Sequence, residues 1–226
     1  MKRASVLALL CLFTAAVLAG CGKSEKVIEK LDDARESKIG VMTGTTGEQL
    51  ALARFPDADV KSFDDVMDAV AALKAGQLDA VITAYSIALN VSKHNPDLWY
   101  LPEPVEKEDM AVGVRKGNEE MLAAVNRIIA ELQDEGILED MRRRWFKQDL
   151  SPYEQVDLPL PASGEVLKVG VSATREPFSF TDENGRITGF DGEVARRIAA
   201  KLGRPVEFLD MKFSALIPAL QSGKID

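Results

Sequence analysis

The sequence predicts an α/β fold built on parallel sheets, and three observations lead to it. From Lys38 onward, short β-rich runs alternate with helical patterns. The helical pattern ending at Gly76 is followed at once by another β-rich run, the order of a βαβ crossover. The pattern also restarts. Lys38-Ile39-Gly40-Val41 returns as Lys168-Val169-Gly170-Val171, and Leu73-Lys74-Ala75-Gly76-Gln77-Leu78-Asp79 returns as Leu220-Gln221-Ser222-Gly223-Lys224-Ile225-Asp226. Two matches in the same order imply a shared architecture.

Taken from the start, Lys2 and Arg3 precede an apolar run from Ala4 to Ala19, the layout of a secretory signal. The run is shorter than the ~20 residues a membrane span needs. It ends in Leu18-Ala19-Gly20-Cys21, which resembles the bacterial lipobox. Residues 1–20 are thus expected to be a signal peptide, and Cys21 the residue that receives lipid. Of the two cysteines, Cys11 leaves with the signal and Cys21 is consumed, so the mature chain holds no disulfide. Losing Lys2 and Arg3 takes the net charge from −8 to −10, which argues against nucleic acid as a partner. No second long apolar stretch follows. Residues 21–37 are charged and weakly patterned, which suits a lipidated tether.

Lys38 to Thr43 reads as a strand, Glu48 to Arg54 as a helix and Asp59 to Ser62 as a second strand. Asp64 to Ala75 places Val66, Ala69, Val70 and Leu73 on one helical face and stops at Gly76. Asp79 to Thr83 is a third strand. Met110 to Arg115 is another strand-like run. Asn118 to Glu135 is the clearest helix, with Met121, Leu122, Val125, Ile128, Ile129 and Leu132 on one side. Leu138 to Trp145 is a shorter one. Residues 151–165 contain Pro152, Pro159, Pro161 and Gly164 without a period and read as a linker. In the second copy, Asp226 stands where Asp79 opens the strand Ala80-Val81-Ile82-Thr83. A further strand is expected there, because a parallel sheet leaves ladder groups unpaired without it. The chain therefore reads as a fragment with an incomplete second lobe.

Several segments together resemble the polar amino-acid family of periplasmic solute-binding proteins that feed ATP-driven importers. They are Gly40 to Thr46, Phe63-Asp64 through Ala80, Val112 to Gly117, Trp145-Phe146, Pro177 to Phe180, Gly189-Phe190-Asp191 and Leu216 to Leu220. Each is weak alone; their order and spacing are not. The resemblance implies a type II binding-protein fold of two Rossmann-like lobes, in the rotated order of binding-protein–permease fusions. Residues 38–113 resemble lobe two, residues 114–150 the helices returning to lobe one, and residues 166–226 the start of lobe one. It also implies a lipid-anchored binding component at the extracytoplasmic face, taking amino acids or similar small polar carboxylates to an ABC permease by hinge closure.

Gly44-Thr45-Thr46 lies between a strand end and a helix start, where backbone N–H groups and hydroxyls can receive a carboxylate. Thr45 and Thr46 can equally cap the helix. The resemblance places Arg175 and Phe213 on the opposite wall. Phe178 and Phe180 read as core, and Asp191 as a cap for the helix bearing Val194, Ile198 and Leu202. Two departures stand out. Relatives place an aspartate for the ligand ammonium where this chain has Ala84, and their carboxylate-clamping segment would lie beyond Asp226. Losing two or three charge-assisted bonds of about 1.5–3 kcal/mol predicts millimolar rather than submicromolar binding of amino acids.

The fold resembles cyclohexadienyl dehydratases too, but the single histidine, His94, sits in a polar stretch. No metal-ligand spacing, nucleophile elbow or phosphate loop is present, so neither a cofactor, a metal nor an enzyme activity is expected. A sensory input domain of a receptor kinase is the remaining alternative. The lipid anchor is directly testable: C21S should abolish labelling by a fatty-acid analogue, and retained labelling would refute the assignment.

Overall fold

A computed structural model describes residues 26–149 and 151–226. The signal segment, Cys21 and the first residues of the tether lie outside the described residues. The first sheet has the order β2-β1-β3, with β1 (Lys38–Met42) between β2 (Asp59–Phe63) and β3 (Ala80–Ile82), all parallel. Helix α1 (Thr46–Arg54) and helix α2 (Val66–Lys74) are the crossovers. The alternation of β1 sorts its side chains between two layers. Ile39 and Val41 pack with Ala51 and Phe55, while Gly40 faces Ala69 and Leu78 on the other side. Helix α3 (Tyr85–His94) follows β3; of it the sequence indicated only the surface end around His94.

The second parallel pair is β4 (Leu167–Val171) beside β8 (Val206–Asp210). Between them come a small antiparallel ribbon of β5 (Thr174–Arg175), β6 (Ser179–Thr181) and β7 (Ile187–Thr188), then helix α6 (Phe190–Leu202). After β8 a 3-10 turn at Phe213–Ala215 leads into helix α7 (Leu216–Gln221).

The internal repeat is visible atom by atom. Lys38 N–H donates to Asp79 Oδ2 (2.8 Å) and Asp79 N–H to Lys38 O (2.9 Å). Lys168 and Asp226 repeat both bonds at 2.9 Å. Gly40 and Gly170 are glycine for one reason: a Cβ there would lie 2.5 Å from Leu78 or 2.6 Å from Ile225, the residue before each aspartate. Gly76 and Gly223 both take positive φ, +67° and +74°, where a glycine ends the helix without strain.

Helix α4 (Glu119–Asp134) and helix α5 (Ile137–Trp145) belong to the first stretch of sequence but pack on the second sheet's side. Val125, Ile128, Leu132, Leu138, Met141 and Trp145 form one cluster with Leu167, Ile198 and Ala199. Asn118 caps α4 by accepting from Met121 N–H (3.1 Å). Residues 151–165 carry no regular structure, yet Tyr153 and Leu160 pack onto this cluster and Arg144 donates to Glu154 O (2.8 Å). The linker is pinned rather than free.

One expected element is absent. Residues 110–115 form no strand, and Met110 and Val112 are exposed. The run is apolar enough for a strand, but a strand exists only with a neighbour to bond, and no ladder partner lies beside it among the described residues. Its Val114 joins the cluster around Trp145, and Gly113 lies beside Leu220.

The tie between the two stretches is Glu193 of α6, which is 4% exposed. It accepts from Arg144 Nη1 and Nη2 (2.9 and 2.7 Å), Trp145 Nε1 (2.7 Å) and Arg197 Nε and Nη2 (2.9 and 2.6 Å). Burial pushes the Glu193 carboxyl up; the bonds from Arg144, Trp145 and Arg197 outweigh it and hold the carboxyl below its ordinary value of 4.5. A depressed folded pKa contributes stability above pH 4.5 that is lost as pH falls through the lower folded value. Glu193→Ala should cost about 3 kcal/mol, since it removes the bidentate partner of the 6%-exposed Arg144 and leaves it Asp140 and Glu154 O alone. Urea unfolding should show a lower midpoint at unchanged slope, with the deficit shrinking below pH 4. A loss under about 1 kcal/mol would contradict this role.

Candidate functional site

A crevice of about 2510 Å³ runs between the two parts of the chain, lined among others by Gly44, Thr46, Ala84, Glu108, Arg175 and Phe213. It exceeds the roughly 300–1,000 Å³ of small-molecule sites, so side-chain placement rather than volume locates the site. The floor is apolar and drawn from both stretches: Met42, Val66 and Ile87 meet Phe178, with Ala84, Phe146 and Phe213 packed against them.

On one wall, the turn after β1 presents Gly44, Thr45 and Thr46. The three residues have different jobs. Thr45 is the N-cap of α1: its hydroxyl accepts from Glu48 N–H (3.3 Å) and donates to Met42 O (2.7 Å). The Gly44 N–H is taken by Glu48 Oε2 (2.8 Å), and Ser62 Oγ donates to the other Glu48 oxygen. The Ser62 bond first, then the Gly44 N–H, hold the Glu48 carboxyl below its usual range. The Thr45-x-x-Glu48 spacing is the sequence signature of a reciprocal helix-start pair and could have been read as such. Thr46 is exposed, and its hydroxyl donates to Glu108, a residue the sequence reading passed over.

The other wall comes from the β5 end and the 3-10 turn after β8. The Arg175 guanidinium lies 4.7 Å from the Phe213 ring centroid and 5.5 Å from that of Phe178, within cation–π range of both. Arg175 Nε is buried with no hydrogen-bond partner, the one such side-chain nitrogen or oxygen among the described residues. Burial lowers the Arg175 pKa, opposed by the charges of Asp191 and Glu108. The two walls touch: a Cβ built on Gly44 would lie 3.4 Å from Ser214 Cα, and Lys212 pairs with Asp64.

Asp191 departs from its expected role. The N-cap of α6 is Gly189, without a side-chain cap bond, and Asp191 lies inside the first turn. Its carboxyl is raised by burial, against the Arg175 charge and a 3.4 Å bond from Ser179. Ala84 is the N-cap of α3 and makes no side-chain cap bond. Phe178 packs as core, as expected, while its ring also faces Arg175. His94 ends α3 at the surface, its Nδ1 3.0 Å from Asn90 O. Among the described residues no cluster of metal-ligating side chains occurs, and no helix is long and apolar enough to cross a membrane.

Comparison with known proteins gives matches over part of the chain. Residues 167–226 match the family described as bacterial extracellular solute-binding proteins, family 3. The chain is 34% identical over 129 residues to the L-cystine-binding protein TcyJ of Escherichia coli (strain K12), covering 57% of this chain and 48% of that protein. It is 26% identical over 134 residues to the ABC transporter glutamine-binding protein GlnH of Bacillus subtilis (strain 168), covering 59% and 48%. Among solved structures, an ancestral arginine-binding protein bound to glutamine is 33% identical over 54% of this chain and 56% of that one, with a TM-score of 0.50. The chain thus spans about half the length of the curated relatives it matches. Each of these relatives is described as a binding protein.

The division of labour at the turn can be measured. Thr45→Ala should cost about 1 kcal/mol through the lost cap, whereas Thr46→Val, on an exposed position, should change stability by under about 0.5 kcal/mol. Equal losses for both in thermal unfolding would show that Thr45 is not the cap that matters.

Proposed function

We propose, from a chain whose residues 167–226 are family 3 solute-binding sequence and whose fold is the α/β type II binding-protein fold, that it is the substrate-binding component of an amino-acid ABC importer. One observation supports this above the others. Gly44 to Thr46 and Arg175 with Phe213, from distant parts of the sequence, face one crevice whose floor both parts share. A small polar carboxylate lodged there would bridge the walls, and a ligand that contacts both lobes favours the closed arrangement.

In this reading residues 38–113 are one lobe, residues 114–150 and 166–226 belong to the other, and residues 151–165 connect them. Gly44 and Thr46 present the carboxylate side, Arg175 supplies a cation, and Phe213 packs against the apolar body of the ligand. Thr45 orients the turn as its cap. A permease reads the closed form, and lipid on Cys21 holds the protein at the extracytoplasmic face of a membrane. The relatives named for cystine and glutamine, and the structure holding glutamine, set the ligand class to test first.

Because Ala84 offers no acceptor to an ammonium group, binding should be weak, roughly millimolar. A panel of cystine, glutamine and arginine should then raise thermal stability only at high concentration. Near ten times Kd, the gain is about 1.4 kcal/mol. Phe213→Ala should weaken the best ligand by about tenfold, read as a change in Kd, since the lost packing on the floor also lowers the unliganded melting temperature. A chain stabilised by no member of the panel at tens of millimolar would sink the reading.

A further inference from the structure

Both donors that the turn after β1 offers a ligand carboxylate are already held by carboxylates of the chain itself. Gly44 N–H binds Glu48, and the Thr46 hydroxyl binds Glu108. The two acids are not alike. Glu48 stands in the first turn of α1 and is held a second time by Ser62, so it belongs to the scaffold of the turn. Glu108 stands in the irregular segment between α3 and α4, is exposed, and has Thr46 as its one side-chain hydrogen-bond partner among the described residues. Its charge reaches Arg175, whose buried Nε–H has no acceptor. A buried guanidinium N–H can be met by a water, a carbonyl or a carboxylate, and of these the carboxylate makes the charge-assisted bond.

We propose that Glu108 is a tethered stand-in for the ligand, holding the Thr46 hydroxyl so that a small carboxylate enters the crevice by displacing it and takes both the Thr46 O–H and the Arg175 Nε–H. The inference rests on the binding-cleft reading above and sharpens it: Arg175 becomes the carboxylate anchor, and the segment bearing Glu108 becomes the element that yields. At the two donors the exchange is one carboxylate for another, so Thr46 and Arg175 meet the same kind of acceptor before and after. A tethered competitor acts at an effective concentration of about millimolar, which raises the apparent Kd without altering the contacts a bound ligand makes.

Calorimetry on the full 226-residue chain, with L-glutamine and glutarate as probes, tests the displacement. Glu108→Gln keeps an acceptor for Thr46 but removes the anion, and should tighten binding of at least one probe about tenfold or more. Glu106→Gln removes a charge from the same segment and should change affinity by less than about twofold, since exposed charges are screened. Adding Arg175→Met to Glu108→Gln should return the affinity to the parent level or weaker. Equal affinity of the Glu108→Gln and parent chains overturns the proposal. So does a gain that survives Arg175→Met, although the binding-protein reading then stands. No heat from any variant with either probe overturns both.

Discussion

The geometry of this chain depends on one buried carboxylate. Glu193 gathers two guanidinium groups and an indole N–H from α5 and from its own helix, in a place where water is excluded. Taking a carboxylate out of water is costly unless every lone pair finds a donor, and the cost of losing one partner is what locks the arrangement. Arg144 and Trp145 lie 49 and 48 residues before Glu193 in sequence. Their shared carboxylate therefore specifies which helix packs on which, a task the surrounding Ile, Leu and Met contacts could satisfy in several ways. The indole ring then presents its face to Tyr153 (5.1 Å between centroids), so the same residue also pins the connection between the two parts.

From that tie the crevice follows. With α5 docked on α6, Phe146 is carried against Phe178 and Phe190, at 5.3 and 5.0 Å between ring centroids. Phe178 in turn reaches the cluster of Met42, Val66 and Ile87 under the first sheet. The turn after β1 and the turn after β8 are left facing one another, close enough that Gly44 meets Ser214. The chain answers the exposed donors of this cleft with its own acids. Glu48 serves the turn itself; Glu108 lies in a segment without regular structure and is held by far less.

Where the sequence reading and the structure part, the reason is the same each time: the deciding partner is remote. The alternating apolar run at residues 110–115 has strand propensity, but a ladder needs a second strand beside it. Asp191 sits three residues after the end of β7, a plausible cap from spacing alone, yet Gly189 takes the cap position and the buried carboxylate accepts from Ser179 instead. Only the end of helix α3, around His94, was read from the sequence, because its apolar residues, buried Ile87 and partly buried Val91 among them, pack against Phe178 and its neighbours without forming a broad stripe.

The sequence by itself determined the α/β class, the parallel β1–α–β2–α–β3 order and its restart at β4, because periodicity and helix-stopping glycines act over a few residues. It named Gly44, Thr45 and Thr46 as candidate contacts, and the family resemblance added Arg175 and Phe213; all five line one crevice. Only the tertiary structure decided which of those groups remain free. That Thr45 is spent on its helix, that Gly44 and Thr46 are held by Glu48 and Glu108, and that Arg175 keeps an N–H without an acceptor all depend on where distant carboxylates come to rest. Hydrogen-bond satisfaction is a property of the folded neighbourhood, and no local pattern of residues encodes it.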